Sequence, residues 1–322
     1  MEEKYVYDMV IVGGGPGGYT AALYGARAGL QVIVLEKFSA GGQMTLTHQI
    51  DNYPGFENGI DGVSLGEKMK KQAERFGAKT EISEVLRMDL SAEPKKIETG
   101  DNVFYGKTVV LAMGASHRTL GVEKETELTG RGVSYCAACD GMFYKEKTVV
   151  VVGGGNSAAA DALLLSRVAK KVILVHRRDI LRAAKTEQRA LEDARNVEFR
   201  WNSQVTELLY EKKLTGVRLQ NTQTGEESIE KCDGIFISIG RVPETGLVKG
   251  QLELDENGYI KAKENTQTGI SGVYAVGDVR TKPLRQIVTA VADGAAAVHM
   301  AEQYLVTVQT AANHMLICCV KE

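Results

Sequence analysis

One pattern of apolar and polar positions occurs twice in this chain. A short apolar run, Asp8–Val12, leads into Gly13-Gly14-Gly15-Pro16-Gly17-Gly18; a longer stretch, Tyr19–Ala28, closes on Gly29; and a second apolar run follows at Gln31–Leu35. Short apolar runs bounded by turn residues read as buried strands, and a longer stretch closed by glycine reads as a helix. The same order returns with Thr148–Val152, Gly153-Gly154-Gly155, Ser157–Ala169 and Lys171–Val175. Two βαβ units are expected. Between them the pattern predicts an amphipathic helix over Gly66–Phe76, short antiparallel strands over Thr80–Leu90, Lys95–Thr99 and Asn102–Lys107, and a buried strand over Val109–Ala115. After them, alternating strands from Val197 to Asp233 are expected to complete the second sheet. Ile235–Arg241 mirrors the strand at Val109 and suggests a return to the first domain. Val273–Asp278 reads as a strand, followed by a helix through about Leu305.

The turns carry the first chemistry. Gly13, Gly15 and Gly18, with Pro16 between, have Gly-x-Gly-x-x-Gly spacing directly after a strand. Glycines there permit the turn, let backbone approach a pyrophosphate and let the helix pack on the strand, and the helix start offers free N–H groups. Glu36 ends the second strand, where an acid hydrogen-bonds an unphosphorylated ribose. In the second unit Gly153, Gly155 and Ala158 take the Gly-x-Gly-x-x-Ala form, with Asn156 and Ser157 opening the helix. Its second strand ends in His176-Arg177-Arg178, with Arg182 just beyond, and guanidinium pairs bidentately with phosphate oxygens. The first unit therefore reads as an FAD site and the second as an NADPH site. A plain βαβ unit and a solvated basic face are the bland alternatives. The small residues Ala112 and Gly114 end the strand at Val109 and suit close approach to a ligand. Gln43 and Asn52 lie in a long loop, Gly41–Phe56, and long loops in compact domains are often functional. Gly277 and Asp278, followed by Arg285, Gln286 and Ile287, place an acid in a glycine turn that could take a polyol hydroxyl.

Between the units stand Cys136-Ala137-Ala138-Cys139-Asp140-Gly141. Two cysteines three apart can close a small disulfide, form half a metal site, or be a buried structural pair. Zinc needs two more ligands, and no second such pair exists, so no metal is expected. Asp140 follows at once, and disulfide chemistry moves protons that a neighbouring carboxylate can carry.

Composition narrows the setting. The chain has 322 residues, 43% hydrophobic and 25% charged, with a net charge of -2. That length accommodates two domains, and the charge lacks the basic excess of a nucleic-acid partner. Five cysteines, an odd number spread unevenly, do not form a secreted disulfide framework, so a cytoplasmic protein is expected. Met1 leads almost directly into the first strand, leaving no room for a secretory leader, and no run approaches a membrane span. Cys232, alone in a strand, reads as a core residue.

In order, the motifs GGGPGG, NYPGF, CAACDG, GGGNSA, HRRDILRA and AVGDV with the following RQI resemble those of the low-molecular-weight thioredoxin reductases, over roughly residues 5 to 305. The resemblance implies an α/β fold of the class II pyridine nucleotide-disulfide oxidoreductase type with two Rossmann-like domains. The FAD domain would comprise 1–116 and 245–322, and an inserted NADPH domain, 117–244, would carry the dithiol. It further implies a homodimer with non-covalent FAD, NADPH as donor, and thioredoxin as the disulfide substrate. Cys139 would be the thiol next to the flavin, Cys136 the interchange thiol and Asp140 the acid/base. Gly13, Gly15, Gly18, Glu36, Gln43, Asn52, Asp278, Arg285, Gln286 and Ile287 fall on FAD-contacting positions. Gly153, Gly155, Asn156, Ser157, His176, Arg177, Arg178 and Arg182 fall on NADPH positions. The inserted domain would rotate between a state offering the dithiol to the flavin and one offering nicotinamide.

The sequence departs from the family in two places. Ala137-Ala138 replaces the commoner pair with Thr between the cysteines, and the tail after Leu305 carries Cys318-Cys319. A packed or dimer-covering tail is expected there rather than an electron relay. A flavoprotein feeding a peroxiredoxin would carry an extra N-terminal thioredoxin-like region. A dithiol oxidase would lack the His176-Arg177-Arg178 motif, and a sensor without turnover would not need Cys136, Cys139 and Asp140 together.

Overall fold

The computed structural model describes residues 5–47 and 49–319, with side chains as far as 310. It divides into two compact units, Met1–Ser116 with Val242–Glu322, and His117–Arg241 inserted between them. The insertion closes at Arg241, slightly ahead of the return expected near residue 245.

The first unit opens with β1 (Val6–Val12), α1 (Pro16–Arg27), β2 (Val32–Glu36), α2 (Gly62–Glu74), β3 (Lys79–Ile82), β4 (Val85–Asp89), β5 (Lys95–Thr99) and β6 (Val103–Leu111), and leaves through β7 (Ala115–His117). The inserted unit holds β8 (Val133–Ser134), α3 (Ala137–Asp140), β9 (Thr148–Val152), α4 (Asn156–Ser166), β10 (Lys171–Val175), α5 (Lys185–Asp193), β11 (Val197–Arg200), β12 (Ser203–Tyr210), β13 (Leu214–Asn221), β14 (Glu227–Lys231) and β15 (Gly234–Ile237). The chain returns through β16 (Arg241–Pro243), which pairs with β7, and ends with β17 (Val273–Ala275) and α6 (Ile287–Cys319).

In the first unit β3, β2, β1, β6 and β17 run parallel, and β5 and β4 add an antiparallel meander to the other part of β6. Successive strand residues point to opposite faces, so an unbroken apolar strand must be covered on both. Met9, Ile11, Val32, Val34 and Val110 pack on Tyr19, Ala21 and Ala22 of α1 and Ala297, Val298 and Ala301 of α6. Val10, Val12, Ile33, Leu35 and Val109 pack instead on Met88, Ile97 and Phe104 of the meander and on Val248 and Ile260. The helices α1 and α6 lie so close that a Cβ on Gly294 would meet the Gly17 carbonyl.

The inserted unit repeats this plan. Its sheet, β11-β10-β9-β15-β8, is wholly parallel. Val149, Val151, Val172, Leu174 and Phe236 cover one face against Ala158, Ala159, Ala162 and Leu165 of α4. Val150, Val152, Ile173, Val175 and Ile235 cover the other against Val205, Leu208, Val217 and Leu219 of a separate antiparallel sheet, β12-β13-β14.

Several local expectations change. Thr80–Leu90 is two strands, and the first of them runs parallel to β2, because it follows a helical crossover rather than a hairpin. Asn102–Lys107 and the first part of the Val109–Ala115 run merge into the single strand β6, which ends at Leu111, while Ala115 opens β7. The polar break between them is satisfied within the sheet: the Thr108 hydroxyl donates to the Asp8 carbonyl at 2.7 Å and Lys107 pairs with Asp8 at 2.7 Å. Helix α2 starts at Gly62 instead of Gly66, capped by Asp61, whose carboxylate accepts the Ser64 N–H at 2.8 Å. Of Val197–Asp233, only β11 joins the second sheet. Helix α6 runs past Leu305 to Cys319, since no Gly or Pro interrupts 306–319.

Candidate functional site

Strand β8 delivers Ser134, and α3 begins just after Cys136. Cys136 and Cys139 are joined as a disulfide with Cα atoms 5.3 Å apart, one helical turn bringing them to the same face. Cys136 caps this turn: its Sγ accepts the Cys139 N–H at 3.2 Å, and its carbonyl accepts the Asp140 N–H at 3.0 Å. Ser134, buried, ties the two ends together. Its hydroxyl donates to Asp140 Oδ2 at 2.6 Å and accepts the Cys136 N–H at 3.1 Å. Both cysteines are half-buried, while Met142 and Phe143, just beyond, are 65% and 43% exposed. Tyr144 packs edge-on to Phe236, and burial, with the Asp140 charge adding to it, pushes its phenol up to about 12. At neutral pH that phenol keeps its proton and is no base. Cys232 is buried and its thiol is pushed up to about 12, first by desolvation and then by the Asp233 charge, so it is an inert core thiol. Among the described residues no group of His, Cys, Asp and Glu could hold a metal ion.

The glycine turn after β1 is closed tightly at its ends and open in its middle. Gly13 sits at φ 104°, which a side chain disfavours, and a Cβ there would run into the Ala112 carbonyl. A Cβ on Gly18 would run into the Gly13 carbonyl, whereas one on Gly15 would meet nothing within 4 Å. Helix α1 starts at Pro16 with no side-chain cap, so its first N–H groups have no capping partner. The carboxylate of Glu36, only 9% exposed, accepts the Gly14 N–H at 2.5 Å and the Phe38 N–H at 3.1 Å. Ala112, Gly114 and Gly277 follow the carboxyl ends of β6 and β17, the same edge of the sheet. The loop after β2 is drawn to this edge: Gly41 N–H donates to the Gly14 carbonyl at 2.8 Å, and the Gln43 amide donates to the Ala115 carbonyl. Asn52 donates to Gln286 at 3.0 Å, bringing the loop to the start of α6 at Ile287. His48, in the same loop, lies outside the described residues.

Asp278 stands in a short turn, Gly277–Val279, held from behind by a buried charge cluster. Asp293 accepts the Gly277 N–H at 2.9 Å and pairs with Arg280 at 2.9 Å and Lys282 at 2.7 Å. Arg285 lies 3.9 Å over the Tyr259 ring and donates to the Arg280 carbonyl at 3.3 Å.

The turn after β9 has the same anatomy. A Cβ on Gly153 would strike the Ser238 carbonyl, one on Gly154 would strike the His176 ring, and one on Gly155 would meet nothing within 4 Å. His176 is buried against this turn, and desolvation, then Arg182, Arg177 and Arg178, push its pKa below the ordinary value, so the imidazole is neutral. The three arginines are exposed, and none is in an ion pair among the described residues. The Arg182 N–H donates to the Gly154 carbonyl at 2.6 Å, and Asn156 accepts the Ala184 N–H at 2.9 Å, so the arginine segment is fastened to the turn. Ser157 is exposed in the first turn of α4.

Residues 7–294 match the family model described as pyridine nucleotide-disulphide oxidoreductase. The chain is 46% identical over 304 residues to a thioredoxin reductase of Streptomyces clavuligerus, covering 93% of this chain and 94% of the relative. It is 43% identical over 310 residues to that of Bacillus subtilis, covering 96% and 98%. It belongs to the thioredoxin reductase family. Among solved structures, the thioredoxin reductase of Streptococcus pyogenes superposes with a TM-score of 0.89 at 42% identity, covering 95% of this chain and 100% of that one. That of Lactococcus lactis, described as the FR conformation, gives 0.66 at 41% identity, covering 94% and 99%.

Thioredoxin reductases of this family bind FAD and NADPH. Both turns fit such a group, because the middle glycine of each borders open space beside a helix start, where a pyrophosphate approaches backbone. The free guanidiniums of the second turn fit an extra phosphate. Sequence reading did not find Ser134 or the Arg280–Lys282–Asp293 cluster. Ser134 lay two residues before the first cysteine, yet nothing in its type marks it until folding sets it against Asp140. The backbone of Cys318 and Cys319 belongs to α6, but their side chains lie outside the described ones.

Proposed function

We propose that the chain is a cytoplasmic, homodimeric NADPH-dependent thioredoxin reductase in which the first unit holds FAD and the inserted unit holds NADPH and the dithiol. The observation that carries the reading is the Cys136–Cys139 disulfide with Asp140 fastened beside it, on the same unit as the turn whose three arginines have no ion-pair partner among the described residues. When bound, FAD passes two electrons from NADPH to this disulfide. Gly13, Gly15, Pro16, Gly18, Glu36, Gln43, Asn52, Ala112, Gly114, Gly277, Asp278, Arg285, Gln286 and Ile287 would hold it, the glycine turn receiving its pyrophosphate and Glu36 a ribose hydroxyl. Gly153, Gly155, Asn156 and Ser157 would receive the NADPH pyrophosphate, and His176, Arg177, Arg178 and Arg182 its 2′-phosphate.

Cys139 is the thiol that meets the flavin, and Cys136 is the interchange thiol. The Cys139 N–H at 3.2 Å from Cys136 Sγ supports that division, because a donor there favours thiolate on Cys136. Cys136 thiolate attacks the thioredoxin disulfide, forming one S–S bond and breaking another. Cys139 thiolate then attacks Cys136 Sγ, restoring the internal disulfide and releasing reduced thioredoxin. Asp140 supplies a proton to the departing sulfur. The exposed Met142 and Phe143 beside the dithiol offer apolar surface to the incoming protein. Since dithiol and nicotinamide need the same ring from one inserted unit, that unit rotates about the crossings at β7 and β16.

The test is NADPH oxidation by the purified flavoprotein, with and without thioredoxin, beside Cys139→Ser. Oxidation that needs both thioredoxin and Cys139 is expected; oxidation indifferent to Cys139 would take the dithiol off the electron path. A covalent link between the units should abolish turnover, and full activity in the linked protein would exclude rotation.

A further inference from the structure

We infer that Ser134 is the positioning residue that sets the protonation of Asp140 and ties it to the backbone of the interchange cysteine, an inference that rests on the reductase reading above. A serine hydroxyl has one proton and two lone pairs. Here the proton goes to Asp140 Oδ2 at 2.6 Å and a lone pair receives the Cys136 N–H at 3.1 Å. A single buried oxygen therefore bridges the residue that attacks and the residue that moves the proton. Ser134 is 3% exposed, so water does not replace it readily.

The location is independent of the disulfide. Ser134 ends β8, which is paired to β15 in the parallel sheet through Phe236, so it belongs to the rigid part of the unit. Cys136 and Cys139 must change their bonding in each cycle. The link from Asp140 through Ser134 to the Cys136 backbone contains neither sulfur, so opening the S–S bond breaks no part of it. Asp140 is thus held to the Cys136 backbone by a tie that does not depend on the S–S bond.

Donation from a hydroxyl favours the ionised carboxylate. Asp140 then begins the exchange as the base that takes a thiol proton, and it returns that proton to the thioredoxin sulfur that leaves. No electron passes through Ser134 or Asp140, and one proton is gained and lost per cycle. Tyr144, whose phenol stays protonated, and the Cys232 thiol cannot substitute for it.

The experiment compares pH profiles of kcat for thioredoxin reduction in the full-length flavoprotein and in Ser134→Ala, Ser134→Thr, Asp140→Asn and the Ser134→Ala/Asp140→Asn double variant, each checked for flavin content and thermal unfolding. The limb set by Asp140 should move up by about one pH unit in Ser134→Ala, the scale on which a single hydrogen bond to a charged group acts. Ser134→Thr, which keeps the hydroxyl, should restore it. In the Asp140→Asn background, Ser134→Ala should have no further effect on the profile. An unshifted limb in folded Ser134→Ala, or an undiminished effect of Ser134→Ala without Asp140, would overturn the inference. A wild-type protein that fails to reduce thioredoxin would instead overturn the reductase reading.

Discussion

The two glycine turns share a backbone plan and differ in what ends the second strand. After β2 comes Glu36, buried and bonded to the Gly14 and Phe38 N–H groups; after β10 comes neutral His176, laid over Gly154, with unpaired arginines following it. In both, the middle glycine borders open space. On the function proposed above, the comparison separates two jobs: backbone would receive a pyrophosphate in the same way twice, and side chains at the strand end would choose the ribose.

The sharpest way to break the comparison is at the third small residue of each turn. The second turn carries Ala158, whose methyl is fully buried, but in the first a methyl on Gly18 would lie on the Gly13 carbonyl. Gly18→Ala should yield protein without flavin absorbance, destabilised by about 2–3 kcal/mol through overpacking. Ala158→Gly should cost about 1–2 kcal/mol, from helix backbone entropy and the lost burial of one methyl, and should keep the flavin. Flavin content and thermal unfolding of both variants check this, and equal effects would mean the turns are equivalent there.

Glu36 comes next. Glu36→Ala leaves the Gly14 and Phe38 N–H groups without their acceptor and should cost about 2–4 kcal/mol, with flavin loss, since each buried unpaired donor costs about 1–3 kcal/mol. Glu36→Gln keeps one acceptor oxygen and should lose less. Titration of apoprotein with FAD would measure both.

Arg177→Ser with Arg178→Ser should raise the KM for NADPH about 10- to 100-fold and leave that for NADH nearly unchanged, as expected for the loss of charge-assisted bonds to one phosphate. An unchanged NADPH KM would remove the phosphate assignment from this turn.

The parts of the molecule legible in sequence are those whose chemistry is local. Both turns, the acid and the arginines after them, and the Cys136/Cys139/Asp140 set are compact in sequence, and each constrains its backbone through residue type. The directions of Thr80–Leu90 and the merging of two expected strands into Val103–Leu111 were not legible, because they depend on partners outside the segment: β2 in one case and Asp8 in the other. Ser134 and Asp293 were missed for the same reason. A serine before a cysteine or an aspartate inside a helix has no distinctive spacing, and each acquires its role only when the fold sets it against Asp140 or Gly277.

The smallest expected effect sharpens the contrast between a strand end that carries charge and one that suppresses it. Burial and the nearby arginines lower the pKa of His176 below its ordinary 6.5. The unfolded chain therefore takes up a proton at this position before the folded one does, so the stability due to neutral His176 is complete above about 6.5 and is lost as pH falls toward the lowered folded value. In urea unfolding, wild type should lose stability across that window more steeply than His176→Asn. Replacing Arg177 and Arg178 should lessen the difference, because only desolvation and Arg182 would then disfavour the charged imidazole. A His176→Asn curve parallel to wild type from pH 7 downward would mean that the ring is as easily protonated in the fold as in water, and that only the arginines distinguish the two turns.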